Sequence, residues 1–206
     1  MIAVVDYGAG NLKSVKNALD YLGAANMRAA TAKEVFLADA VILPGVGEFG
    51  AAMAEIERRG LKEALVAAAC GGRPFLGICL GMQLLFDESG ESPEARGLGL
   101  LPGSVPGFSN KMGLKIPHMG WNSITAAKKS RLLAGLPSGP YMYFVHSYHV
   151  AAANRHHVSA TAEYGETFDA AVEDENIFGC QFHPEKSGEA GLSILKNFIE
   201  IINGGR

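Results

Sequence analysis

A cysteine framed by two glycines, at the junction of an apolar run and an amphipathic run, is the feature that most constrains this chain. Residues 74–78 predict a buried strand, and residues 80–86 carry apolar side chains at helical spacing. The pattern G-x-nucleophile-x-G at such a junction is typical of a nucleophile elbow, which is a strained turn from a strand into a helix. Gly77 and Gly81 would let the helix pack close to the strand, and the helix N-terminus would favour a thiolate at Cys79. The alternative is a buried, inert cysteine.

Strand-like and helix-like segments alternate before this elbow. Apolar runs at residues 2–5 and 40–43 predict buried strands, and residues 12–22 predict a helix with Asn11 as its N-cap. A further helical stretch, interrupted at Gly60, precedes the elbow strand. The alternation predicts an α/β fold with a mostly parallel central sheet, helices on both faces, and functional residues at the carboxyl ends of the strands.

The second half of the chain has a different composition. Glycine, proline and polar residues dominate residues 89–115 and predict loops, whereas residues 188–202 predict a closing helix. We expect residues 1–206 to form one domain. Five segments rich in aromatic and β-branched residues predict an antiparallel extension of the sheet. They are residues 121–124, 141–145, 157–162, 168–172 and 177–182.

Composition excludes several classes of function. With 206 residues, 48% hydrophobic content and a net charge of −3, the chain resembles an ordinary globular domain, and nothing suggests a nucleic-acid partner. The N-terminus lacks a basic segment and no apolar run could span a bilayer, so we expect a cytoplasmic protein without a membrane partner. Cys70, Cys79 and Cys180 form neither a C-x-x-C pair nor an even disulfide set, which predicts a reducing compartment and no structural zinc. We also expect no cofactor.

A nucleophilic cysteine needs a base, and the base needs a group that orients it. His183 and Glu185, separated by Pro184, are the best candidates. The residue before a proline is extended, and positions two apart in an extended segment face the same side, so the two side chains can act together. The alternative for this tripeptide is a surface turn after a strand.

Acyl transfer also needs two N–H groups for an oxyanion. One is expected from Leu80, the residue after the nucleophile, and the other from the glycine-rich loop 44–47. Residues 45–50 also match the G-x-G-x-x-G pattern of dinucleotide sites. We consider that interpretation weak, because the pattern follows the third strand and no acidic residue ends a strand about twenty positions later.

Other residues carry weaker signals. Gln83 should face the same way as Cys79, either as a surface residue or as an amide that recognises another amide. Trp121 is consistent with either core packing or an interface anchor. Four histidines could suggest a metal, but no carboxylate or cysteine shares their spacing, so core or solvated roles are favoured. They are His146, His149, His156 and His157.

Three of these motifs together resemble the class I, triad-type glutamine amidotransferases, which have a flavodoxin-like fold: residues 77–83, 44–47 and 183–185. Residues 6–12, 117–122 and 143–148 are similar, more narrowly, to the glutaminase subunits of imidazole glycerol phosphate synthases in histidine biosynthesis. The resemblance extends from Met1 to the last helix. It implies that L-glutamine is hydrolysed to L-glutamate and ammonia.

The resemblance also implies a role for each matching residue. Cys79, His183 and Glu185 would form the catalytic triad, and Gly47 and Leu80 the oxyanion hole. The ammonia would pass to a (β/α)₈-barrel cyclase subunit in a heterodimer. Contacts to glutamine are expected from Gln83, Glu91, Ser147 and Tyr148, and contacts to the barrel subunit from Asn11, Pro117, Met119, Trp121 and Lys186.

Three alternatives to this function remain open from the sequence. The chain could serve another synthase, act as a free-standing γ-glutamyl hydrolase, or be a non-catalytic regulatory relative. The triad motifs show no departure from the family pattern, which argues against the last.

Overall fold

Strands and helices alternate as far as residue 83, as the apolar periodicity predicts. The computed structural model describes residues 1–109 and 113–204. The strands of this part are β1 (Ile2–Val5), β2 (Asn26–Ala29), β3 (Ala40–Gly45) and β4 (Phe75–Cys79). The helices are α1 (Leu12–Tyr21), α2 (Ala32–Leu37), α3 (Phe49–Arg58), α4 (Lys62–Cys70) and α5 (Leu80–Gln83).

Strands dominate the rest of the chain, which closes with the helix α6 (Gly188–Gly204). In the two described ranges, no helix combines the length and the apolarity needed to cross a membrane. The strands of this part are β5 (Glu88–Ser89), β6 (Gly103–Val105), β7 (His118–Ser123), β8 (Thr125–Ala126), β9 (Tyr141–His146), β10 (Ala151–Ala152), β11 (Val158–Glu163), β12 (Thr167–Asp174) and β13 (Ile177–Cys180).

The central sheet has eight strands in the order β2-β1-β3-β4-β13-β12-β11-β8. The first five are parallel to one another, and β12, β11 and β8 continue the sheet in antiparallel fashion. One face is covered by α1 and α6 through residues such as Leu19 and Phe198, and the other by α2, α3 and α4 through residues such as Val35 and Ile56. The predicted α/β architecture is therefore confirmed.

The predicted antiparallel extension is correct only in part. β7 and β9 pair with each other in a separate two-stranded ribbon and do not join the central sheet. The alternation of side chains explains why the ribbon is stable at the surface. Met142 and Phe144 are buried against the core, whereas Met119 and Trp121, on the other face, are more than half exposed. The core interpretation of Trp121 is therefore wrong.

The elbow helix is shorter than the apolar spacing of residues 80–86 predicts. α5 ends at Gln83 because the next carbonyls are taken by a distant loop: Leu84 O accepts from Leu98 N, and Leu85 O accepts from Leu100 N, both at 2.8 Å. These tertiary bonds replace the i to i−4 ladder that would have continued the helix. With only one turn, α5 has a weaker dipole than we expected at Cys79.

Candidate active site

The carboxyl ends of three adjacent parallel strands meet at one edge of the sheet. Gly45 at the end of β3 lies opposite Cys79 at the end of β4, and Cys180 at the end of β13 lies opposite Ile78. This register brings together the elbow, the glycine-rich loop after β3 and the segment that contains His183. The sheet edge at which we expected function is thus where the predicted groups converge.

Cys79 occupies the strained turn that the glycine frame predicts. Its backbone has φ of 55° and ψ of −112°, and residues other than glycine rarely adopt a positive φ. A Cβ added at Gly81 would lie 1.7 Å from Leu43 O, and one added at Gly77 would lie 2.6 Å from Gly81 O. The glycines are therefore required because the backbones of β3, β4 and α5 touch at these positions.

His183 and Glu185 form a buried pair. His183 Nδ1 lies 2.8 Å from Glu185 Oε1, and the two side chains are only 3% and 1% exposed. A carboxylate can only accept here, so Nδ1 carries the proton. His183 Nε2 and Glu185 Oε2 are buried and make no hydrogen bond within residues 1–109 and 113–204. The free Nε2 is the ring atom that can exchange a proton with a neighbouring thiol.

Two opposing effects set the proton affinity of His183. Burial alone would lower its pKa, but the neighbouring Cys79 thiol and the Glu185 carboxylate outweigh burial and raise the pKa to about 10. His183 is therefore an imidazolium at neutral pH.

The other cysteines lie in different surroundings. Cys180 is fully buried, and burial, followed by the nearby Glu185 and Cys79, raises its thiol pKa well above the usual range. Cys70 is exposed on α4, away from the sheet edge. Among the three thiols, Cys79 alone lies beside the buried histidine.

A cavity of about 280 Å³ opens in front of Cys79. It is bounded on one side by the elbow and the loop after β3, and on the other by the end of β9 and the residues that follow it. Every residue predicted for the oxyanion hole or for glutamine binding lines this cavity. They are Gly47, Leu80, Gln83, Glu91, Ser147 and Tyr148.

Gln83 is buried rather than on the surface. Its Nε2 donates to Tyr148 O at 2.9 Å and to Gln181 Oε1 at 3.1 Å. These bonds occupy both amide hydrogens, so its carbonyl oxygen is the atom that Gln83 can offer to a ligand. Glu91 Oε2 accepts from Phe49 N at 2.9 Å, which anchors this loop residue at the start of α3, and burial raises the Glu91 pKa.

The loop after β3 is shaped for the elbow and not for a dinucleotide. A Cβ at Gly45 would lie 2.4 Å from the Tyr7 hydroxyl, and Gly47 has a φ of +108°. The first amides of α3 already bind carboxylates, because Glu48 accepts from Gly50 N and Ala51 N in addition to the Glu91 contact with Phe49 N. A pyrophosphate would have to displace these acidic side chains, so the dinucleotide interpretation is rejected.

The residues predicted to contact a partner lie outside the cavity or at its rim. Met119 and Trp121 are 63% and 57% exposed, and Pro117 and Lys186 are also exposed. Asn11 is partly buried and caps α1, as predicted, by accepting from Ser14 N.

Sequence reasoning missed two features of the site. Gln181 Nε2 donates to Cys79 Sγ at 3.7 Å, and the spacing argument that joined His183 to Glu185 would also have placed Gln181 beside His183. His118 contacts His146, a pairing over 28 residues that no local pattern signals. Within the described ranges, no three His, Cys, Asp or Glu side chains form a group able to hold a metal ion.

The chain is similar to known proteins over nearly its whole length. Residues 3–202 match the family model described as glutamine amidotransferase class-I. Imidazole glycerol phosphate synthase subunit HisH of Methanothermobacter thermautotrophicus is 50% identical over 202 residues, covering 98% of this chain and 99% of that relative. The chloroplastic imidazole glycerol phosphate synthase hisHF of Arabidopsis thaliana is 44% identical, covering 97% of this chain and 34% of that protein. The fold matches the structure of PurLQS from Thermotoga maritima with a TM-score of 0.78, at 21% identity and 98% coverage of both chains.

Proposed function

The chain belongs to the class I glutamine amidotransferases, as a glutaminase subunit of imidazole glycerol phosphate synthase, and we propose that Cys79, His183 and Glu185 form its catalytic triad. The observation that carries the assignment is the buried His183–Glu185 pair, 2.8 Å apart, beside a cysteine on a strained turn. The geometry matches the roles of nucleophile, base and orienting group.

The reaction follows from these roles. The Cys79 thiolate attacks the side-chain amide carbon of glutamine, and the oxyanion that forms is stabilised by the N–H groups of Leu80 and Gly47. His183 gives its proton to the departing nitrogen, and ammonia leaves as a γ-glutamyl thioester is formed. Neutral His183 then takes a proton from water, whose oxygen attacks the thioester. Collapse of the second oxyanion releases glutamate and regenerates the thiolate and the imidazolium.

Glu185 stays ionised throughout. It keeps Nδ1 protonated, so that Nε2 is the atom that exchanges protons, and it stabilises the positive ring. Binding of the substrate amino acid is assigned to the far side of the cavity. Gln83, Glu91, Ser147 and Tyr148 supply the polar groups there, and the acidic Glu91 suits the α-ammonium group of glutamine.

The partner we propose is the (β/α)₈-barrel cyclase subunit, in a heterodimer located in the cytoplasm. Met119 and Trp121 expose large apolar surfaces on β7, as expected for anchors of an interface. Pro117 lines the cavity and extends this surface to the substrate. Asn11 and Lys186 complete the proposed contact region. Ammonia released at Cys79 would pass across this face to the cyclase.

The test of this function is ammonia release from glutamine by the purified chain, alone and with the barrel subunit and its nucleotide substrate. We expect activity that rises strongly in the complete complex and disappears in Cys79→Ala. A complex that assembles and releases no ammonia from glutamine would contradict the proposal.

A second experiment tests the docking surface. Trp121→Ala should weaken binding of the barrel subunit by roughly 30-fold or more, as for a buried aromatic anchor. The matched control is Tyr21→Ala, because Tyr21 is also an exposed aromatic residue, at 79%. Titration calorimetry would give both affinities. Equal binding by the two variants would remove Trp121 from the interface.

A further inference from the structure

A chain of hydrogen bonds runs through the protein from the exposed ribbon to the substrate cavity. His118 and His146 lie directly opposite each other on β7 and β9, and His118 Nδ1 is 3.0 Å from His146 Nε2. At one end, Asn122 Nδ2 lies 3.4 Å from His118 Nε2. At the other, His146 Nδ1 lies 2.9 Å from Tyr148 O.

Tyr148 O, the acceptor at the cavity end, fixes the donor and the acceptor of each hydrogen bond in this chain. A carbonyl oxygen can only accept, so His146 Nδ1 must carry a proton and, in a neutral ring, Nε2 must be the acceptor. His118 Nδ1 must then donate to it, which leaves His118 Nε2 to accept from the Asn122 amide. Because the Asn122 amide nitrogen can only donate, His118 Nε2 carries no proton, and His146 Nε2 then accepts from His118 Nδ1. Both rings are therefore neutral and both hold the Nδ1–H tautomer, the arrangement in which every contact pairs one donor with one acceptor.

The surroundings keep both rings neutral and fixed. His118 and His146 are 3% and 6% exposed, and burial lowers the pKa of His118 to about 4 and that of His146 to about 3. His118 is stacked between Phe144 and Tyr164, with ring centroids 5.0 and 4.1 Å away. A proton added to either ring would place two N–H groups face to face.

The two ends of the chain connect regions that the proposed function assigns to different tasks. Tyr148 O accepts from His146 and also from Gln83 Nε2, so one carbonyl oxygen orients two residues that line the cavity. Asn122 and His118 alternate along β7 with Met119 and Trp121, the exposed anchors proposed for the partner. The chain of hydrogen bonds thus joins β7, the strand proposed to dock the partner, to Tyr148 at the substrate cavity. Each of its hydrogen bonds can have only one donor and one acceptor.

We propose that His118 and His146 are positioning residues for glutamine: they hold Tyr148 and Gln83 in the geometry that binds the substrate and tie that geometry to the docking strand β7. Neither imidazole takes part in the chemistry. The inference rests on the proposed function for the meaning of the cavity, whereas the polarity of the hydrogen-bond chain stands on contacts alone.

Nitrogen NMR of the imidazole rings in the intact heterodimer tests the polarity. We expect His118 and His146 to show a protonated Nδ1 and an unprotonated Nε2 at pH 7, the less common tautomer of a free histidine. A protonated Nε2 on either ring would overturn the inference. This readout needs no activity, so it is separate from any failure of the proposed function.

Kinetics of the heterodimer tests the positioning role. His118→Phe and His146→Phe keep an aromatic ring and remove the polar atoms. We expect each to raise the glutamine KM about tenfold, the effect of one lost buried hydrogen bond, and to change kcat less than about twofold. The double variant should have about the same KM as the single variants, because either substitution alone already interrupts the hydrogen-bond chain.

His149→Phe is the matched control. His149 packs on Phe108 and Phe168 in the same aromatic cluster, but its ring nitrogens face Val150 O and Glu166, outside the chain. Its KM should stay at the wild-type value. An unchanged KM in His118→Phe and His146→Phe, with a loss of stability only, would overturn the inference. Absence of ammonia release from the wild-type heterodimer would instead contradict the proposed function.

Discussion

Two buried histidines near the cavity differ in protonation state. One is His183, beside the elbow wall formed by the ends of β3 and β4, and the other is His146, on the ribbon wall formed by the end of β9. His183 faces a carboxylate 2.8 Å away, and its pKa is raised to about 10 despite burial. On the ribbon wall, His146 faces a carbonyl oxygen and a second imidazole, and burial lowers its pKa to about 3. Burial is common to both, so the partner decides the outcome. The charged ring is suited to proton transfer, and the neutral ring to holding other groups in place.

The walls also differ in how the chain builds them. The elbow wall consists of parallel strands whose backbones touch, so it depends on glycines at fixed positions. The ribbon wall is a two-stranded surface element in which paired residues are 18 to 28 positions apart in the sequence. The elbow wall therefore tolerates little change in the size of its residues, whereas the ribbon wall exposes side chains that a partner can reach.

The largest effect should come from removing the charged histidine. His183→Phe should lower kcat for glutamine hydrolysis by roughly 10³-fold, because the proposed proton donor and acceptor is lost. His146→Phe, the matched change on the other wall, should leave kcat within about twofold. Steady-state ammonia release by the proposed complex with the barrel subunit measures both. Similar losses of kcat in the two variants would abolish the distinction between the walls.

The next effect concerns the close packing of the elbow. Gly81→Ala should lower the free energy of unfolding by about 3 kcal/mol, because its Cβ would lie 1.7 Å from Leu43 O. Gly204→Ala is the control: apart from its chain neighbours and its own helix backbone, no atom of the described residues lies within 4 Å of its added Cβ, and the residue ends α6. Urea unfolding of both variants measures the difference. A Gly81→Ala protein as stable as Gly204→Ala would show that the backbones do not touch at the elbow.

The smallest expected effect is a shift in the pH dependence of activity, which should follow the raised pKa of His183. Between pH 6.5 and about 10, folded His183 keeps a proton that an unperturbed histidine would lose, so kcat at saturating glutamine should fall only as the pH rises through about 10. Glu185→Gln removes a negative neighbour and lowers the His183 pKa. The alkaline fall should therefore move to lower pH by more than about one unit.

Glu166→Gln is the control for this profile, because Glu166 lies 3.4 Å from His149 Nε2 and not beside His183. Its alkaline limb should match that of the wild type. An unshifted limb in Glu185→Gln would mean that another group carries the catalytic proton.

Local patterns in the sequence predicted the features of the fold and the site that depend on residues close together in the chain. The alternation of strands and helices, the Asn11 cap and the strained turn at Cys79 each depend on neighbours in the chain, and each is present. The pairing of His183 with Glu185 also follows from adjacent positions in an extended segment.

Distant contacts explain the rest. α5 stops after one turn because residues 98–100 bind carbonyls that a longer helix would have used. Trp121 is exposed because β7 pairs with β9 and leaves the central sheet, which apolar content alone does not reveal. The contact between His118 and His146 depends on the register of that ribbon.

Covalent labelling by a glutamine-like diazo-ketone, followed by intact mass and peptide mapping, tests the central claim that Cys79 is the nucleophile. We predict one adduct per chain on Cys79, none on the buried, high-pKa Cys180 or on the exposed Cys70, and no adduct in Cys79→Ala. Undiminished labelling of Cys79→Ala would contradict the account.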